Sequence, residues 1–175
     1  MKREHKISRG IIIRYALIII IAFLFPLVYL IFTPLTLYPV YWILGVFYST
    51  SIEKTALVIN GSFINLIQAC IAGSAYFLLV LLNLSTPNIK KRAKALAFGL
   101  GSFLAANIIR IIVLTALFLS NFAYFVQAHL ISWYFLTAIF VILIWIATIK
   151  IFNIKEIPFY SDFKYLKNMI EKKKL

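Results

Sequence analysis

Residues 95–119 read ALAFGLGSFLAANIIRIIVLTALFL, an apolar run that carries one charge, Arg110, and no acid. About 20 apolar residues suffice to cross a hydrocarbon core of about 30 Å as an α-helix, so this stretch predicts a membrane-spanning helix. Working outward, three more runs of similar length stand at 11–32, 64–84 and 129–149, the first interrupted by Pro26. The predicted architecture is an all-α polytopic membrane protein of about four transmembrane helices, forming one domain over 1–175. No internal repeat or low-complexity linker divides the chain.

Composition agrees. Of the 175 residues 63% are hydrophobic and 13% charged, about half the charged share of a soluble domain. A soluble fold of this size could not bury that much apolar surface. The net charge of +13 would suit nucleic acid, but the positions of the charges argue against it. Every Lys and Arg except Lys54 and Arg110 lies in the N-terminal tail and first turn of the first run (Lys2 to Arg14), in the 85–94 loop, or in the tail from Lys150 to Lys174. Such flanking clusters follow the positive-inside rule and put both termini on the cytoplasmic side. No groove-reading or aromatic-basic motif accompanies them, so nucleic acid is not expected as a partner. The tail with Lys172, Lys173 and Lys174 reads as a solvated anchor.

The run Ile11–Phe32 is too long for the core of a signal peptide, and no small-x-small site follows it, so it reads as a retained helix. With one cysteine, Cys70, there is no intrachain disulfide and no C-x-x-C zinc site; neither a metal nor a cofactor is expected.

The outer side is predicted to hold a long loop, 33–63, and a short one, 120–128. The long loop contains Pro34, Pro39 and the turn-forming pair Asn60-Gly61, with Ala56–Ile59 and Phe63-Ile64 placed to pair as a hairpin. Tyr38, Tyr41, Trp42, Phe47 and Tyr48 suit the membrane interface. This segment is expected to lie on the membrane as a lid or docking surface, as a short hairpin or an interfacial helix.

In lipid the informative residues are polar. Arg110 lies nine residues before Leu119, about 14 Å below the outer end of its helix. An Arg at that depth is expensive without partners, and no predicted span contains Asp or Glu. It reads either as a snorkelled orienting residue or as a functional cation met by carbonyls, water, Asn107 or a substrate. Asn107 precedes it by three residues on the same face. Gly99, Phe103 and Ala106 extend that stripe with Ser102 beside it, and Asn107 could equally be interhelical glue. Cys70 and His129 fall in the outer halves of the second and fourth spans. Each alone reads as a small hydrophobe or a polar interface residue. Together with Arg110 they form a set in which an imidazole or cation activates a thiol and a fixed Arg binds the oxyanion formed by thiolate attack.

These residues resemble the exosortase/archaeosortase family of membrane transpeptidases over 63–135. The likeness rests on Ala69-Cys70 with Gly73-Ser74, on Asn107-Ile108-Ile109-Arg110-Ile111, and on His129 through Trp133. The glycine here stands three residues after the cysteine, where the family commonly has it two after. The chain looks like a minimal archaeosortase-type member. The resemblance implies Cys70 as nucleophile, His129 as general acid/base and Arg110 as transition-state stabiliser, with Asn107, Gly73, Ser74 and Trp133 supporting or binding substrate. It implies as partners secreted precursor proteins that end in a short motif, a transmembrane helix and basic residues, cut near the outer face of the cell membrane. The new carboxyl end would then pass to a membrane lipid amine, without a cofactor. The competing expectation is a non-catalytic assembly factor or transporter subunit in which Arg110 holds a helix or an anionic lipid.

Overall fold

The computed structural model describes residues 2–54, 56–66, 68–87 and 91–173. Lys90 and Lys174, counted above among the basic flanks, lie outside the described residues. In chain order the elements are α1 (Lys2–Phe23), α2 (Phe25–Gly45), β1 (Thr50–Glu53), β2 (Ala56–Ile59), β3 (Ser62–Asn65), α3 (Gln68–Ile71), α4 (Gly73–Ser85), α5 (Arg92–Leu119), α6 (Phe125–Ile131), a π-helical segment (Ser132–Leu136), α7 (Thr137–Phe152) and α8 (Tyr160–Lys173). Among the described residues four helical stretches are long and apolar enough to cross a membrane: Phe25–Gly45, Gln68–Ser85, Arg92–Leu119 and Phe125–Phe152.

The first span corrects the sequence reading. The helix does not end at Phe32. It breaks at Leu24, two residues before Pro26, and continues to Gly45 with Pro34 and Pro39 inside it. In water those prolines would signal a loop. Within a membrane, neighbouring groups re-satisfy the freed carbonyls, and proline is tolerated. The predicted 33–63 loop therefore shrinks to the residues after Gly45, and Tyr38, Tyr41 and Trp42 ride on α2 rather than on a loop.

The fold is mostly helical, as expected, and the hairpin foreseen after the first span is present with one strand more. The short segment that follows α2 is a three-stranded antiparallel sheet of order β1-β2-β3. Asn60 (φ 49°) and Gly61 (φ 83°) both take positive φ, the requirement of a two-residue hairpin turn whose twist matches its strands. Leu57 and Ile59 on β2 are fully buried and join Leu37, Val40 and Leu44 of α2 and Ile111 of α5 in one apolar cluster. The sheet thus caps one end of the bundle. Its third strand uses residues 62–65, so the second span begins at Gln68 rather than at 64.

A second cluster, Ala75, Tyr76 and Leu79 of α4 with Phe103 of α5 and Val141 of α7, holds the middle. There Tyr76 stacks on Phe32 at 3.7 Å between centroids and meets Phe103 edge-on at 4.8 Å. At the end away from the sheet, Arg14 of α1 pairs with Asp162 of α8, and Tyr15 touches Phe159. Arg92 donates there to the carbonyls of Asn83 and Thr86, closing the α4–α5 turn.

Gly73 is explained by packing. A Cβ at this position would stand 2.6 Å from Cζ of Tyr29, whose ring is held edge-on by Phe25. Gly73→Val is expected to destabilise the protein by about 1–3 kcal/mol through overpacking, read as a lowered thermal midpoint in detergent, and Tyr29→Ala in the same chain should restore part of the loss.

Candidate active site: a thiol, a guanidinium and an imidazole on one cleft

The second span is broken two residues after Cys70. Ala72 adopts a left-handed conformation, φ 56° and ψ 46°, which residues with a Cβ seldom enter and which stores about 1–3 kcal/mol at sites that over-determine it. The break separates the four-residue α3, which carries Cys70, from α4. It also takes the last carbonyls of α3 out of the helical ladder. Asn107 and Arg110 of α5 meet them. Asn107 Nδ2 donates to Cys70 O at 3.1 Å and Ile71 O at 3.4 Å, and Arg110 Nη2 donates to Cys70 O at 2.9 Å. The i, i+3 spacing of the two side chains puts both on the face of α5 that looks at α3.

Arg110 is 6% exposed. Its other terminal nitrogen, Nη1, donates to Thr137 Oγ1 at 2.7 Å, and Thr137 Oγ1 in turn donates to Ser132 O at 3.2 Å. One guanidinium therefore ties α3, α5 and α7 together. It also lies within electrostatic range of the Cys70 side chain. Of the partners anticipated for a buried Arg without an acid, a backbone carbonyl is present; the hydroxyl of Thr137 was not among them.

The π-helical segment sets the aim of His129. Residues eight apart on an uninterrupted α-helix differ by about 80°, whereas one extra residue in a π turn reduces the separation to that of seven residues, about 20°. His129 and Thr137, which flank Ser132–Leu136, are thereby brought onto nearly one face. The ring of His129 packs beside that of Phe125, 5.9 Å between centroids.

Cys70, Arg110 and His129 all line one cleft of about 170 Å³, together with Trp133. Its other walls are mainly apolar, among them Leu66, Phe118 and Phe125. Cys70 and His129 are half-buried, reachable without being surface groups. Three of the four predicted supporting residues stand outside the cleft wall: Asn107 is buried behind it, Gly73 packs on Tyr29, and Ser74 is exposed elsewhere. The sequence reading missed Thr137, the second ligand of the guanidinium. Its signal was a hydroxyl within an otherwise apolar span, on a face that the α-helical period places wrongly. Among the described residues no group of three metal-ligating side chains occurs.

No protein-family model, curated protein or solved structure matches this chain significantly.

Proposed function

We propose that the protein is a membrane-embedded cysteine transpeptidase or protease that cleaves the C-terminal sorting segment of secreted proteins. The observation that carries this reading is the shared cleft: Cys70 on α3, Arg110 on α5 and His129 on α6 border the same space. In the reaction, His129 takes the thiol proton and the sulfur attacks the scissile carbonyl. The developing oxyanion is met by N–H groups of Arg110, two of whose five donors go to Cys70 O and Thr137 among the described residues. His129 then gives its proton to the leaving amine, the C–N bond breaks, and a thioester remains on Cys70. A membrane lipid amine or water attacks that thioester, and the thiol is regenerated. Flanking charges place both termini in the cytoplasm, which sets the cleft under the exterior leaflet of the cell membrane, where a secreted precursor held by its terminal helix presents its junction.

The test is a reporter fused to such a C-terminal segment, co-expressed with the enzyme. Cys70→Ala and Cys70→Ser are each expected to reduce processing at least about 10³-fold while the protein inserts as before. Hydroxylamine should intercept the wild-type intermediate as a hydroxamate. One observation favours a scaffold instead: Asn107 and Arg110 both hold the end of α3. On that reading Cys70→Ala is silent, because it removes only a small half-buried side chain.

A further inference from the structure

The hairpin of β2 and β3 ends beside the cleft, and its geometry decides which backbone groups remain unpaired. With sheet order β1-β2-β3, β3 is an edge strand. The turn Asn60-Gly61 closes on the pair Ile59–Ser62, and in a two-residue hairpin that flanking pair exchanges both of its N–H···O bonds. Alternation then points the N–H and C=O of Ser62 and Ile64 toward β2, and those of Phe63 and Asn65 away from it. Among the described residues no turn, loop or inter-element backbone hydrogen bond involves Phe63 or Asn65.

This edge borders the thiol. Phe63, Ile64 and Asn65 line the same cleft as Cys70, and Phe63 is 66% exposed. Asn65 also borders a wider, open groove of about 810 Å³ along α2, with Tyr29, Thr33 and Gln68 on its walls. The edge therefore runs between the site of the chemistry and a lateral opening. Unpaired N–H and C=O groups are not left facing lipid tails, and the partner whose own groups repeat at strand spacing is an extended polypeptide.

We propose that β3 is the docking strand for the substrate: an extended segment of the precursor adds to the sheet as its fourth strand, through the outward backbone groups of Phe63 and Asn65, and this places the adjoining peptide bond at Cys70. The inference rests on the transpeptidase reading and deepens it. It makes recognition at these two positions a matter of backbone conformation, so the substrate segment must be extended and must keep the amides that face β3.

The probe is a pool of reporters fused to C-terminal segments of secreted proteins of the source organism that end in an apolar helix and a basic cluster. Capture is measured on the Cys70→Ala protein, so that binding is read without cleavage. Phe63→Pro removes an outward N–H and leaves the β2–β3 ladder untouched, since proline is accepted at such edge positions. It is expected to weaken capture at least about tenfold, whereas Phe63→Ala, which keeps the N–H, should change it by less than about threefold. N-methylation of alternate amides in a synthetic copy of a captured segment should produce the same loss from the substrate side, independently of how well Phe63→Pro folds. Equal capture by Phe63→Pro and Phe63→Ala, no retained segment at all, or a dimer that Phe63→Pro dissociates (which would assign the edge to a second copy of the chain) overturns the proposal. Cleavage by the wild type that ignores Phe63→Pro defeats strand docking alone. Capture without cleavage defeats the transpeptidase reading alone.

Discussion

Arg110→Lys is expected to reduce processing by about two to three orders of magnitude, the effect of losing one donor to an oxyanion, in a protein that still inserts. The guanidinium acts through its shape. Nη2 reaches Cys70 O and Nη1 reaches Thr137 Oγ1, two acceptors on different helices that a planar fork spans and an ammonium point charge does not. Lysine keeps the charge and one contact but loses the fixed plane that holds further N–H groups toward the cleft. Arg110→Leu goes further: it takes the donor from Thr137 Oγ1 inside the bundle, at about 1–3 kcal/mol for the orphaned acceptor, while Cys70 O keeps the donor of Asn107. Processing rate and thermal midpoint, measured on the same detergent preparations, separate the two effects. If the lysine variant cleaves at the wild-type rate, the guanidinium is a strut and takes no part in the reaction.

Shortening the π-helical segment by two residues should be as damaging, whereas shortening it by one should not. Tyr134 and Phe135 are 63% and 67% exposed, so deleting them sacrifices little packing. Without Phe135 alone, Phe125–Phe152 can relax to a regular α-helix in which His129 and Thr137 stand seven residues apart, at the same separation of about 20° that the π turn gives them, so the imidazole keeps its face. Without both residues the spacing falls to six. The α7 portion is held by α4 and α5 through Val141 and its neighbours, so the short α6 is the part that turns, by about 100°, which carries His129 and Phe125 off the cleft. The double deletion is expected to lose at least about 10²-fold in processing, the contribution of a positioned general acid/base, and the single deletion to keep processing with an unchanged or raised thermal midpoint. Retained activity in the double deletion would mean that the imidazole does not act from this face.

How much of this was legible can be followed residue by residue. The runs around 95–119 and 129–149 marked two spans because uninterrupted apolar sequence has one inexpensive solution in a bilayer. The resident polar groups stood out for the same reason, which is why Cys70, Arg110 and His129 could be singled out one by one. Pro34 and Pro39 misled, since the rule that reads proline as a breaker assumes water as the competitor for the freed carbonyl. The start of the second span misled because Phe63 and Ile64 are as apolar as a helix and only the turn before them announces a strand. The break at Ala72 and the π-helical segment carried no sequence signal that periodicity can use. Both are departures from a regular ladder stabilised by side chains far away in the chain, Asn107 and Arg110 in one case and Arg110 through Thr137 in the other. What the sequence could name were the chemical groups; what it could not supply was the pair of local irregularities that bring them onto one cleft.

The discontinuity at Ala72 has a mechanical consequence. Bilayers of different thickness tilt the helices that cross them, and a side chain on a continuous helix swings with its rod. Cys70 sits beyond an interruption, on a fragment tethered by Asn107 and Arg110 of the neighbouring α5. The sulfur thus takes its coordinates from α5 rather than from the segment to which it is covalently joined, and a change in membrane thickness that reorients α4 leaves the spacing between thiol and guanidinium intact.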